Sequence, residues 1–128
     1  MVEDDDSFAE ALTEQLESDG RLEVAGRARD GREGVELAEA LRPDVVLMDI
    51  ALPVMDGVEA TREIRRRQPT IAVVAITGWE YEERAIEVRD AGAVDFVAKG
   101  RLERDLVEIV VAAADRGRRR RRRRPTSA

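Results

Sequence analysis

Three groups of side chains in this chain could do chemistry together. They are the acidic run Glu3, Asp4, Asp5 and Asp6, the isolated carboxylate Asp49, and a hydroxyl with an ammonium, Thr77 and Lys99. Asp49 ends the run Pro43-Asp44-Val45-Val46-Leu47-Met48-Asp49. Its continuous apolar character is that of a strand covered on both faces. The loop Ile50-Ala51-Leu52-Pro53-Val54-Met55-Asp56-Gly57 follows at once. Carboxylates joined by a backbone carbonyl oxygen suit a hard, octahedral ion, so Mg²⁺ is the chemical expectation. A hydroxyl and an ammonium facing them suit the oxygens of a phosphoryl group. Lys99 is the only lysine among the 22 basic residues. Its compact ammonium can approach a carboxylate oxygen where a planar guanidinium is too bulky.

These residues must be brought together by the elements that carry them. Strands are predicted at Val2 to Asp4, Leu22 to Ala28, Val45 to Asp49, Ile71 to Ile76 and Val94 to Ala98. Amphipathic helices are predicted between and after them. The first opens on the capping-box pattern Ser7-x-x-Glu10, with Phe8, Leu12 and Leu16 on one face. The second spans Arg32 to Leu41, with Val35, Ala38 and Leu41 inward and Pro43 beyond its end. The third follows Gly57, with Val58, Thr61, Ile64 and Arg65 along one side and Asp56 as its cap. The fourth runs from Glu80 to Ala91, closed by Gly92, and the fifth from Glu103 to Ala114. Strict alternation of this kind implies a parallel sheet with helices on both faces. The chemical groups then fall at four strand ends on a single edge, where open α/β sheets place their ligands.

Composition narrows the classes. A chain of 128 residues, 43% hydrophobic, suits one domain. It has no Cys and no His, which excludes disulfide and thiolate scaffolds and imidazole metal sites. No apolar stretch approaches a membrane span, and the acidic start does not resemble a secretion signal, so a soluble cytoplasmic protein is expected. All 28 acidic residues precede residue 116, whereas eight of the 22 basic ones are Arg116 and Arg118 to Arg124. Residues 1–115 thus carry a net charge of −14, which argues against nucleic-acid binding by that body. Residues 116–128 read as a disordered arginine-rich tail, able to contact nucleic acid or another acidic surface.

The ordered set of motifs resembles the receiver domain of two-component response regulators. The matching segments are Val2-Glu3-Asp4-Asp5, Pro43 to Ile50, Leu52-Pro53-Val54-Met55-Asp56-Gly57, Ala75-Ile76-Thr77-Gly78 and Ala91 to Lys99. The resemblance covers residues 2 to 114. It implies a flavodoxin-like (βα)5 three-layer sandwich with sheet order 2-1-3-4-5, the first strand truncated. It also implies that Asp49 is the phosphoacceptor. Mg²⁺ would be bound by Asp4, Asp49, the Ala51 carbonyl and, through water, Glu3. Thr77 and Lys99 would bind phosphate, with Thr77 and Phe96 forming the switch.

A partner histidine kinase or phosphotransfer protein would donate the phosphoryl group. The signal would leave through the face made by the fourth helix, fifth strand and fifth helix, which could also pair two copies. Such a domain is not an enzyme beyond its own phosphoryl transfer and dephosphorylation. The leading expectation is a receiver with no attached output domain. Alternatives are the receiver portion of a DNA-binding transcriptional regulator and a degenerate, phosphorylation-independent binding module. A haloacid-dehalogenase-like phosphatase fits poorly, because Asp49-Ile50-Ala51 lacks a second carboxylate. Only Met1 and Val2 precede Glu3, so a start upstream is expected. Gly78 and Gly100 depart from the family pattern, and Trp79 is expected to shield the acyl phosphate from water.

Overall fold

Alternating apolar strands and amphipathic helices leave a sheet with two faces to cover, and helices cover both. The computed structural model describes residues 1–78, 84–99 and 102–123. Among these, strands β1 (Val45–Asp49), β2 (Ala72–Thr77) and β3 (Asp95–Ala98) alternate with helices α1 (Asp6–Ser18), α2 (Gly31–Leu41), α3 (Gly57–Arg67), α4 (Arg84–Asp90) and α5 (Leu102–Arg123). The strands are parallel in the order β1-β2-β3, with Val45 opposite Ala72 and Val74 opposite Asp95. Val2 continues the sheet beyond β1 through parallel single bridges to Met48 and Ala28. The lateral order is therefore the Ala28 segment, Val2, β1, β2, β3. This is the flavodoxin-like order with its first two strands each reduced to one paired residue.

Side-chain alternation divides the interior in two. Val46 and Met48 of β1 with Val73 and Ala75 of β2 face α2, α3 and α4, against Val35, Ala38, Val58, Ile64 and Val88. Leu47, Ala72, Val74, Ile76 and Val97 face the other way, against Leu12 and Leu16 of α1 and Leu106, Val110 and Ala113 of α5. Every residue of β2 is buried. It is the central strand of the three, which explains its unbroken apolar run.

Several boundaries differ from the sequence expectation. Leu22 to Ala28 does not form a strand, and only its last residue pairs. Its neighbour in the sheet supplies a single bridging residue, so there is no ladder for it to join. A cavity of about 440 Å³ lies there, lined by Leu22, Gly26, Val45 and Leu47 among others. Helix α1 is capped by Asp5, whose Oδ1 accepts from the Phe8 N–H at 3.0 Å, rather than by Ser7. Leu41 is 45% exposed, because α2 ends there and Arg42 turns into the left-handed region at φ 48°.

Helix α5 does not stop where a disordered tail was expected at Arg116; it continues to Arg123. Gly117 is buried, and a Cβ there would lie 3.0 Å from the Thr70 carbonyl oxygen. Arg118 pairs with Asp44 at 3.6 Å. Arginine is a good helix former, and cations at a helix C-terminus meet the favourable end of its dipole. Among the described residues, no helix is long and apolar enough to cross a membrane.

One buried polar group works against the fold. Thr61, on the inner face of α3, is fully buried and its hydroxyl has no hydrogen-bond partner. Replacing such a hydroxyl by a methyl of similar shape removes an uncompensated desolvation cost. Thr61→Val is expected to stabilise the protein by roughly 1 kcal/mol. The urea midpoint should rise at unchanged slope, and an unchanged or lower midpoint would refute it.

Candidate functional site

Asp49 is the last residue of β1, Thr77 the last of β2, and Lys99 directly follows β3. Parallel register sets their side chains on one edge of the sheet, with Asp49 opposite Ile76 and Thr77 opposite Ala98. Both Asp49 and Thr77 are buried. The Lys99 ammonium lies 3.3 Å from Asp49 Oδ2, and Asp49 Oδ1 accepts from the Ala51 N–H at 3.0 Å. Each oxygen of the carboxylate thus has its own partner, one cationic and one from the backbone.

The acidic pair reaches this edge from Val2. The Val2 N–H donates to the Leu47 carbonyl at 2.8 Å, and the Val2 carbonyl accepts from the Asp49 N–H at 3.0 Å. One residue later the Glu3 N–H donates to the Ala28 carbonyl at 2.9 Å. Glu3, Asp4 and Asp49 thereby bring one carboxylate oxygen each to within 4.8 Å of one another. Asp4 is exposed and Glu3 fully buried. Glu3 Oε1 accepts from the Asp5 N–H at 3.1 Å, while Oε2 is buried without a hydrogen-bond partner. Burial pushes the Glu3 carboxyl up to about 8, and the neighbouring Asp49 carboxylate adds to the rise. The Asp5 N–H and the Lys99 charge oppose it. An all-oxygen donor set with one partnerless buried oxygen fits a hard divalent cation.

Close backbone approaches fix the loop after Asp49. A Cβ on Gly57 would lie 2.4 Å from the Asp49 carbonyl oxygen, and one on Gly31 would lie 2.1 Å from that of Met55. Between them Val54 has φ 66°, and the Met55 N–H donates to the Pro53 carbonyl at 2.8 Å, closing a tight three-residue turn. Positive φ is strained for a β-branched residue. Asp56 caps α3 as expected, its Oδ1 accepting from the Glu59 N–H at 3.0 Å. Its Oδ2 also accepts from Arg84 of α4 at 2.9 Å, an ion pair the sequence did not signal.

The structure brings together Glu3, Asp4, Asp49 and Lys99, with Thr77 on the next strand end. Ala51 is exposed on the loop, two residues past Asp49. Phe96 lies at the surface, 36% exposed, with the Arg89 guanidinium 5.4 Å above its ring. Trp79 and Gly100 lie outside the described residues. Sequence reasoning missed Arg27, whose Nε and Nη2 both donate to the Glu3 carbonyl, at 3.1 and 2.9 Å. Its Nη1 pairs with Asp6 at 2.8 Å. No local pattern marks an arginine at the end of an unpaired segment. It also read Phe8 only as part of an apolar helix face, although its ring lies beneath the Lys99 ammonium.

Comparison with known proteins agrees with this geometry. The family model for the response regulator receiver domain matches residues 1–111. The protein-glutamate methylesterase/protein-glutamine glutaminase of Alkalilimnicola ehrlichii is 42% identical over 100 residues, 77% of this chain and 26% of its own length. The protein of the same description from Haloarcula marismortui is 40% identical over 129 residues, 91% of this chain and 35% of its own. The chain thus spans a quarter to a third of the length of these curated relatives. Among solved structures, the response regulator domain of Thermotoga maritima CheB superposes with a TM-score of 0.82 at 31% identity, covering 89% of this chain and 92% of that one. The receiver domain of the response regulator NarL from Mycobacterium tuberculosis gives 0.83 at 28% identity, covering 89% and 92%. With its motifs, sheet edge and relatives in agreement, this chain belongs to the response regulator receiver domain family.

Proposed function

We propose that this chain is the phosphoacceptor of a cytoplasmic two-component pathway, taking its phosphoryl group on Asp49. The observation that carries the reading is the buried Asp49 carboxylate paired with the single lysine at 3.3 Å, beside two further carboxylates. This arrangement also weighs against a degenerate binding module, which has no use for a buried anion held by one cation. These 128 residues contain no histidine, so a phosphohistidine donor lies outside them, on a sensor kinase or a phosphotransfer protein.

An oxygen of Asp49 attacks the phosphorus in line, the P–N bond to the donor imidazole breaks, and the acyl phosphate forms. Lys99 and the Thr77 hydroxyl bind the oxygens of the transferred group. Glu3, Asp4, Asp49 and the Ala51 carbonyl would hold Mg²⁺, which supplies positive charge against those same oxygens. Phosphorylation adds charge and strong acceptors at Asp49. Thr77 is drawn toward them, and Phe96 turns inward from its exposed position. The face built by α4, β3 and α5, where Ile86 and Phe96 are exposed, changes with it and can engage a target or a second copy. The arginine run at the end of α5 suits a nucleic-acid phosphate backbone, with binding that falls steeply as salt rises.

Two outcomes test the site. With Mg²⁺ and acetyl phosphate, the wild-type protein gains the mass of one phosphoryl group and Asp49→Asn gains none. A folded wild-type sample with no mass gain would refute the reading. The second outcome is a pH dependence. In metal-free protein the folded-state pKa of Glu3, about 8, lies above its ordinary 4.5. Its contribution to stability is therefore fully present below 4.5 and is lost as pH rises through about 8. The urea midpoint in chelator should fall between these limits more steeply in wild type than in Glu3→Gln, and Mg²⁺ should remove the difference. Parallel pH profiles for the two proteins would contradict it.

A further inference from the structure

Lys99 touches an aromatic ring as well as Asp49. Its ammonium lies 4.7 Å from the centroid of the Phe8 ring and 3.3 Å from Asp49 Oδ2. Phe8 is one of only four aromatic residues in the chain, and its place follows from the local structure. The Asp5 cap accepts its N–H at 3.0 Å, which fixes Phe8 in the first turn of α1. Leu12 and Leu16, the next residues at a spacing of four, are buried against α5 and the sheet. Side chains on a helix lean toward its N-terminus. Phe8 therefore extends this apolar row past the end of the sheet and carries its ring under the reactive edge. It is half-buried, one part of the ring packed on the core beneath and one part facing the ammonium.

We propose that Phe8 is a positioning residue for Lys99, holding the ammonium over Asp49 by a cation–π contact before a phosphoryl group arrives. The proposal rests on the reading of Asp49 as phosphoacceptor. Lys99 has a flexible four-carbon stem, is 36% exposed, and sits near three carboxylates. Asp4 is the solvated one of the three and competes for the same cation. A ring face 4.7 Å from the ammonium makes one of these arrangements better than the others, because its negative quadrupole attracts the ammonium there. The lysine then need not be recruited from solvent when charge develops on the phosphoryl oxygens. An aliphatic residue of similar size would fill the space without this attraction.

The chain's single lysine makes the test unambiguous. Lysine labelled selectively with ¹³C and ¹⁵N gives one side-chain signal set, from Lys99 alone. In the wild-type protein the Lys99 Cε protons should be shifted upfield by the Phe8 ring, and Phe8→Leu should return them to ordinary values. Leucine keeps the helix and the apolar contact, so folding is retained. The initial rate of Asp49 phosphorylation by acetyl phosphate with Mg²⁺, followed by intact mass, should fall roughly two- to fivefold in Phe8→Leu. Phe8→Tyr and Phe8→Trp should restore it, since either presents a π face whereas a packing role alone would be met by leucine. Phe8→Leu reacting as fast as wild type, or an unshifted wild-type Lys99 signal, overturns the role of Phe8. A wild-type protein that shows the ring shift but gains no phosphoryl group overturns the reading of Asp49 instead.

Discussion

The bridge at Val2 is the interaction on which both the sheet and the site depend. Its N–H and carbonyl join it to Leu47 and Asp49, while Met1 and Glu3 on either side exchange hydrogen bonds with Ala28. This one residue connects the Ala28 segment to β1 and sets Glu3 and Asp4 beside Asp49. Its side chain is buried, and α2 rests on it so closely that a Cβ on Gly34 would come within 2.8 Å of Val2 Cγ2. A longer strand would spread this task over several ladder bonds. Here contacts outside the ladder share it. Arg27 grips the Glu3 carbonyl with two donors, and Arg27 and Arg29 both pair with Asp6. The turn carrying the acidic pair is thus held by backbone bonds on one side and guanidinium groups on the other.

Holding the pair there has an electrostatic consequence. Glu3 and Asp49 are both buried, and Asp4 lies within reach of them, against the single ammonium of Lys99. Like charges at such distances disfavour simultaneous ionisation, and burial strengthens the effect. Glu3 bears the burden, as its raised pKa and its partnerless Oε2 indicate. The edge therefore has an excess of oxygen acceptors and a deficit of positive charge. A divalent cation would relieve both, so the feature that costs stability in the bare protein is the one that fits the edge to such an ion.

The sequence made the site's chemistry legible because strand ends carry it. Asp49, Thr77 and Lys99 each close a run whose apolar pattern can be read without a structure, and parallel topology does the rest. What stayed hidden depends on partners distant in the chain. Leu22 to Ala28 has the composition of a strand, but strand formation requires a neighbour, and only Val2 is there to pair with it. The acidic residues at 5 and 6 look alike in sequence, yet one caps α1 and the other meets two arginines. The arginine run reads as self-repelling. The helix persists through it because Gly117 lets α5 lie against the Thr70 and Asp44 carbonyls, with Arg118 beside Asp44.

The loop after Asp49 links these themes. Gly57 brings α3 against the Asp49 carbonyl, Gly31 brings α2 against Met55, and Val54 between them adopts a strained positive φ. Strain of this kind persists only where surrounding contacts over-determine the backbone. The same segment ends in Asp56, which caps α3 with one oxygen and holds Arg84 of α4 with the other. Burial alone would raise the Asp56 pKa, but the Glu59 N–H and the Arg84 guanidinium outweigh it and hold the carboxyl below its ordinary range. Asp56 is therefore charged near neutral pH, and its ion pair with Arg84 connects the Asp49 loop to α4. Two glycine contacts thus fix the loop after Asp49, and the Asp56 carboxylate joins that loop to α4.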